Sequence, residues 1–226
     1  MQIINHWKKF DTPAEVAQAV CDVVFIAAQQ AIAERGCFKL VLAGGSTPEQ
    51  LYPLFTQKET DWSLWFIYFG DERCLPTDHP NRNSVMAGQA FLNHVSIPAE
   101  QILIIPAELG GLEAAKLYQQ NIVEVMPFDM VLLGMGEDGH TASLFPGHEH
   151  AADEWVHAIF NAPKPPPERV SLSAKALSNT RQLLFMVTGA SKKEAVQQWQ
   201  TGFQLPVNKI KPEMGVDIYI DNAALS

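Results

Sequence analysis

The sequence predicts an α/β fold, a mostly parallel sheet with helices on both faces. Two observations carry this expectation. Short apolar runs of strand length alternate along the chain with longer segments of helical periodicity, the pattern of strand–helix–strand crossovers. Several runs also end in glycine-rich turns, as after Phe38 to Ala43 and after Met130 to Leu133. Open α/β sheets bind ligands at that end of their strands.

The elements follow in order. Asp11-Thr12-Pro13 offers a capping oxygen and a first-turn proline, so a helix is expected to run to Arg35 and stop at Gly36. Phe38 to Ala43 reads as a strand and Glu49 to Gln57 as a helix. Leu64 to Phe69 is a second strand, ending in a turn at Gly70-Asp71-Glu72-Arg73. A polar loop, Pro76 to Asn83, leads into a helix reaching Asn93, and Gln101 to Ile105 is a third strand. Leu112, Ala115, Tyr118, Ile122 and Val125 recur at helical spacing. Phe128 to Leu133 is the next strand. Trp155 to Phe160 and Val170 to Ser173 read as strands flanking Pro163-Lys164-Pro165-Pro166-Pro167. That cluster is a stiff surface loop rather than a linker, because too little chain follows to build a separate core. Gln182 to Thr188 is a strand, Lys192 to Gln200 a helix and Val216 to Ile220 the last strand. There is no internal repeat, and residues 1–226 are expected to form one domain.

Composition narrows the function classes. With 47% hydrophobic and 18% charged residues, the chain has the balance of a globular protein. Its net charge is −9, and without a basic run nucleic acid is not an expected partner. An anionic small molecule remains possible through a local pocket of Arg, Lys and backbone N–H groups. Cys21, Cys37 and Cys74 are odd in number and widely spaced, as in a cytoplasmic protein with reduced thiols. Met1 to Asp11 lacks the apolar core of a secretory leader. Val16 to Ala33 is interrupted by Asp22, Gln29 and Gln30, so no membrane span is expected.

Four constellations carry chemistry. Gly134-Met135-Gly136-Glu137-Asp138-Gly139-His140 follows a buried strand. Its glycines free the backbone to turn, and a histidine with a carboxylate two residues away suits acid–base work near neutral pH. The same residues also fit a turn whose histidine caps the next helix. Gly44-Gly45-Ser46-Thr47-Pro48 lies between a strand and a helix. It offers a helix N-terminus and hydroxyl donors to a phosphate, without the Lys-Ser/Thr of a P-loop or the spacing of a dinucleotide site. Alternatively it is a tight turn with Thr47 as the helix cap. Asp71 and Arg73 pair a carboxylate with a guanidinium that could position a substrate and bind an anion, but by themselves they are better explained as a solvated acidic turn with a surface ion pair. Arg169 and Lys192 each open an element, and a cation at a helix start is unfavourable unless an anion is bound there. His140, His148 and His150 form a weak candidate zinc set, with no cysteine to join it.

In order along the chain, these motifs resemble the 6-phosphogluconolactonase family, in the form related to glucosamine-6-phosphate deaminase. The stretch from Phe128 to Gly147 carries most of the resemblance. Leu42 to Pro48, Gly70 to Arg73, His79-Pro80 with Asn83, Arg169 to Leu172 and Gly189 to Lys192 complete it. The resemblance implies a Rossmann-like fold and hydrolysis of 6-phosphoglucono-lactone to 6-phosphogluconate, the second step of the oxidative pentose phosphate pathway. It implies no cofactor and no essential metal. His140 would be the general base. Gly44, Gly45, Ser46, Arg169 and Lys192 would hold the phosphate, with Thr47 adding a hydroxyl. Asp71 and Arg73 would lie beside the sugar ring.

Two positions depart from the related patterns. The deaminases are expected to carry a catalytic Glu five residues after the histidine, where this chain has Phe145. Asn83, a candidate substrate contact, is flanked by Arg82 and Ser84 rather than by an aromatic or small apolar residue. The expected mechanism is direct attack by water, since no serine sits in a GxSxG elbow. Asp138 or another carboxylate would orient His140, and Arg73 or loop N–H groups would meet the oxyanion. The expected partner is a phosphosugar lactone, with the protein acting as a monomer or small homo-oligomer. A phosphosugar deaminase or isomerase, a non-catalytic sugar-phosphate sensor and a zinc hydrolase are the rival readings.

Overall fold

A computed structural model describes residues 5–225. The first half of the chain contributes β1 (Asn5–Phe10), α1 (Pro13–Arg35), β2 (Phe38–Leu42), α2 (Ser46–Phe55), β3 (Trp65–Phe69), β4 (Asp71–Arg73), α3 (Asn83–Ala90), β5 (Ile102–Leu103) and α4 (Gly111–Val123). The second half contributes β6 (Phe128–Gly134), β7 (Val156–Ile159), β8 (Arg169–Leu172), α5 (Ala174–Ser178), β9 (Thr180–Val187), α6 (Lys193–Gln200), β10 (Val216–Asp221) and α7 (Asn222–Leu225).

Seven strands form one sheet in the order β1-β10-β9-β6-β2-β3-β5, and every pairing in it is parallel. Met130, Val131, Leu132 and Leu133 of β6 are all buried. Successive strand residues point to opposite faces, so both faces of the sheet are covered. From β2 the chain builds outward through β3 to β5, then returns to place β6 on the other side of β2. That reversal is the switch point where open α/β sheets leave a crevice beyond the strand ends. The loop carrying Gly44 follows β2, and the loop carrying His140 follows β6.

Local chemistry explains the elements. Thr12 caps α1 through a reciprocal pair with Glu15, and Gly36 ends it in the left-handed region at φ 79°. By length and composition α1 would cross a membrane, yet here it is a core helix, with Val16, Val20, Val24 and Ala31 fully buried. Tyr52 of α2 donates to Ala43 O at 2.6 Å and accepts from Ala43 N at 3.0 Å. Tyr118 of α4 does the same to Phe69, at 3.0 and 2.8 Å. Two tyrosines thus hold the ends of β2 and β3 where both strands enter their loops.

Several sequence expectations are corrected. β1 lies in a segment read from sequence only for its lack of a leader, because two half-buried aromatics, Trp7 and Phe10, among exposed Asn, His and Lys make no continuous apolar run. The turn expected at residues 71–73 is a strand: β4, β8 and β7 form a separate three-stranded antiparallel sheet. α2 begins at Ser46, three residues before the expected start, with Gly45 rather than Thr47 at its cap. The strand expected at residues 101–105 shrinks to Ile102–Leu103. Leu112, expected on the apolar stripe, is 73% exposed because the stripe begins with Ala114 and Ala115. α5 carried no sequence signal. The proline cluster is the loop of the β7–β8 hairpin, as expected.

The second sheet is joined to α3 through Glu72, which is fully buried. Its carboxylate accepts from Asn83 N at 2.7 Å, Ser84 N at 2.8 Å and Ser84 Oγ at 2.7 Å. These are the orphan amides of the α3 N-terminus, where a negative charge also meets the helix dipole. The buried Arg82 guanidinium lies 3.4 Å away. Glu72→Ala leaves those amides without a partner and takes from Arg82 one of its two carboxylates, while Glu108 stays at 2.8 Å. It is expected to lower unfolding stability by about 3–5 kcal/mol, read as a reduced urea midpoint with an unchanged m-value.

Candidate active site

A cleft of about 310 Å³ opens at the switch point, beyond the ends of β2, β3, β6 and β9. From β2 and the start of α2 come Gly44, Gly45, Ser46 and Thr47; from β4 and α3 come Asp71, Arg73 and Asn83. His140 enters after β6, Arg169 from β8 and Lys192 after β9. Asp138 reaches the cleft through its bond to His140. The structure therefore brings together all the site residues expected from the sequence.

The histidine loop is not followed by a helix, so His140 caps nothing. Gly136 N donates to His140 O at 2.8 Å, and Thr141 Oγ1 donates to Gly134 O at 2.9 Å, folding the loop back on its strand. The ring of His140 rests on Gly136: a Cβ added there would lie 1.9 Å from Nδ1. Only glycine admits the imidazole at this point. Nδ1–H donates to Asp138 Oδ1, which sets the tautomer and leaves Nε2 as the basic nitrogen. The orienting carboxylate is therefore Asp138. Burial lowers the His140 pKa below its ordinary value and Lys164 lowers it further, outweighing the upward pull of Asp138 and Asp71. Burial pushes the Asp138 carboxyl up, but the hydrogen bond and charge of His140 bring it below its ordinary value. The pair is a neutral imidazole beside a carboxylate near neutral pH, the resting form of a general base.

Asp71 and Asn83 form the floor. Asp71 is buried, not solvated as an acidic turn would be. It accepts from Asn83 Nδ2 at 3.0 Å and from Ser143 Oγ at 2.6 Å, so it ties α3 to the histidine loop. Gly44 packs on Asn83, whose Oδ1 would lie 2.0 Å from an added Cβ. Arg82 and Ser84, the unusual neighbours of Asn83, are the residues that engage Glu72.

The walls are cationic. Arg169 donates through Nε and Nη2 to the carbonyls of Lys164, Pro165 and Pro166, at 3.0 to 3.1 Å. Nη1 has no partner among the described residues. By gathering the proline loop, Arg169 brings Lys164 to the cleft, a residue that sequence reasoning missed. Its only signal was a lysine inside a loop too stiff to move away. Lys192 is half-buried with no partner among the described residues, and burial lowers its pKa despite Glu137. Ser46 and Thr47 N–H open α2 without intrahelical acceptors, and Thr47 Oγ1 bonds Thr188 Oγ1 at 2.7 Å. Together these groups line the cleft with unpaired donors and cations, the chemistry that suits an anion, in a chain of net charge −9.

Phe145, buried, stacks against His140 with ring centroids 4.8 Å apart, and His148 lies on its far side at 5.8 Å. The three histidines of the candidate zinc set therefore do not converge, and no metal-binding group of three His, Cys, Asp or Glu is present among the described residues. Burial pushes the Cys74 thiol up to about 12, so this cysteine is not an activated nucleophile.

A family model described as glucosamine-6-phosphate isomerases/6-phosphogluconolactonase matches residues 11–219. The chain is 35% identical to a probable chloroplastic 6-phosphogluconolactonase of Oryza sativa, over 92% of this chain and 71% of the relative. It is 35% identical to a 6-phosphogluconolactonase of Nostoc sp., over 83% and 81%. A solved 6-phosphogluconolactonase from Thermotoga maritima superposes with a TM-score of 0.90 over 97% of this chain and all of that one; at 22% identity this is a likeness of fold.

Two outcomes are expected from the histidine loop. By NMR titration, His140 should titrate below the ordinary 6.5. Asp138→Asn removes the charge that raises it, so the pKa should fall further; an upward shift would contradict the assigned pairing. Gly136→Ala should displace the ring by more than an ångström, changing its 15N shifts and costing His140-dependent chemistry about 10²-fold.

Proposed function

The chain belongs to the glucosamine-6-phosphate isomerase/6-phosphogluconolactonase family, and from that premise we propose that it is a 6-phosphogluconolactonase with His140 as its general base. It hydrolyses 6-phosphoglucono-lactone to 6-phosphogluconate in the oxidative pentose phosphate pathway. The observation that carries the mechanism is the His140–Asp138 pair, with Nε2 free, at the edge of a cleft whose other walls are cationic.

The reaction proceeds in two proton transfers. The phosphate is held by the first-turn amides of α2 with Ser46 and Thr47, and by Arg169, Lys164 and Lys192. It lies away from the reacting carbonyl, so its binding orients the lactone without touching the bond that breaks. His140 Nε2 takes a proton from water as the oxygen attacks the carbonyl carbon. Asp138 stabilises the imidazolium that forms. Arg73, at the cleft wall, meets the oxyanion. The tetrahedral intermediate collapses with cleavage of the carbon–ring-oxygen bond, and the imidazolium gives its proton to the leaving oxygen. The product is a carboxylic acid that ionises and an alcohol on the opened chain.

Phe145 favours this chemistry over deamination. Ring opening and amine loss need an acid near the histidine, and here an apolar ring lies against it. The cleft is complete within one chain, so a monomer or small homo-oligomer suffices. Three free thiols suit the reducing cytoplasm.

With freshly generated lactone, wild-type protein should exceed the uncatalysed rate, and His140→Ala should lose about 10²–10⁴-fold. A loss below tenfold would remove His140 from the role of base. Glucosamine 6-phosphate should release no ammonia. Binding of the sugar phosphate without turnover of lactone would instead support a sensor.

A further inference from the structure

A second cavity, of about 250 Å³, lies on the far side of Phe145 from the catalytic cleft. Its walls are Leu144 and Phe145, His148, His150 with Ala151 and Ala152, His157, the start of α5, and Pro206 with Lys209. Every titratable group in the lining is basic: His148, His150, His157, Lys175 and Lys209. No carboxylate belongs to the wall, in a chain with more acidic than basic residues. Glu154, the nearby acid, is occupied by the ring of His157, with Nδ1 and Oε2 2.9 Å apart. Apart from Ser173, whose hydroxyl caps α5, the rest of the surface is apolar, from Leu144, Phe145, the paired Ala151 and Ala152, Ala174 and Pro206.

Within this cavity His150 is unsatisfied. Its ring stacks on that of His157, with centroids 4.5 Å apart, and its Nε2 is buried with no hydrogen-bond partner. Buried polar atoms in native proteins are nearly always paired, so an orphan nitrogen on a residue that lines a cavity marks a ring lacking its partner. The local field has the matching sign. Burial pushes the His150 pKa down to about 4, and His157, His148 and Lys209 add to the shift against a smaller upward pull from Glu154. A positive field, an unpaired imidazole nitrogen and an apolar floor are the features of a small-molecule pocket with a few placed polar groups.

We infer that this cavity is a second ligand site, for a small organic carboxylate whose apolar body packs beside Phe145 and whose anionic head meets Lys209 and the ring of His150, turned to present its unpaired nitrogen. The site is distinct from the phosphate cradle: the two cavities share no lining residue. The inference does not depend on which reaction the cleft performs.

Benzoate is the probe, with benzamide as its neutral counterpart, titrated into the full-length protein and followed by calorimetry and by histidine ring 15N signals. One-to-one binding of benzoate, with the His150 pKa rising on saturation and benzamide binding far more weakly, is expected. Lys209→Glu, at an exposed position that leaves the fold intact, should weaken benzoate by roughly fivefold. Lys192→Ala, in the cleft, should leave it unchanged. No saturable binding at tens of millimolar benzoate, equal affinity for benzamide, or binding lost in Lys192→Ala but intact in Lys209→Glu would each overturn the assignment.

Discussion

One buried carboxylate organises the catalytic end of this molecule. Glu72 sits on a three-residue strand that belongs to neither the main sheet nor a helix, and its oxygens gather the N-terminus of α3. That contact decides where Asn83 lies. Asn83 in turn fills the space that a side chain at residue 44 would need, and it bonds Asp71. Asp71 passes the connection to the histidine loop through Ser143. Hydrogen bonds at 2.6 to 3.0 Å thereby lock the segments after β3 and β6 to α3, and Gly44 of the loop after β2 packs against the same Asn83. An ion pair so deeply buried adds little net stability compared with an apolar core. What Glu72, Arg82 and their partners provide is a single arrangement of three loops that have no other reason to agree.

The two tyrosine clamps supply the rigid base for that arrangement. Tyr52 and Tyr118 saturate the last peptide groups of β2 and β3, so the strands end at defined points and the cleft begins there. Above this base the electrostatics divide. Acidic groups in the cleft are committed to internal partners: Asp71 to Asn83 and Ser143, Asp138 to His140. Lys192 and one nitrogen of Arg169 remain unpaired among the described residues. Satisfied anions and unsatisfied cations give the cleft the sign that suits a negative ligand, while burial, with a smaller push from Lys164, lowers the His140 pKa.

Much of this was legible in the chain. Alternation of strand and helix patterns was enough for the parallel sheet, because continuous apolar runs such as Met130 to Leu133 demand burial on both sides. Thr12 and Gly36 bounded α1 through capping chemistry that acts within a few residues. The Gly134 to His140 loop was readable because a strand end, three glycines and an acid–base pair are all local. Lys164, Ser143 and Glu72 were not readable as site residues. Each acts through a partner distant in sequence: Arg169 gathers the loop of Lys164, Ser143 meets Asp71, and Glu72 meets residues 82 to 84. β4 was taken for a turn because three residues show no periodicity, and it is a strand only because β8 pairs with it.

What the sequence by itself determined is the alternation of elements, the family resemblance and the loop that carries Asp138 and His140, since each is encoded in contiguous residues whose local chemistry suffices. Only the tertiary structure decided which carboxylate orients His140, which cations face the cleft, and that Phe145 both packs against His140 and lines a second cavity. These facts depend on contacts between residues separated by tens of positions. Hydrogen bonds and charges act over a few ångströms, so such contacts exist only once the chain has folded.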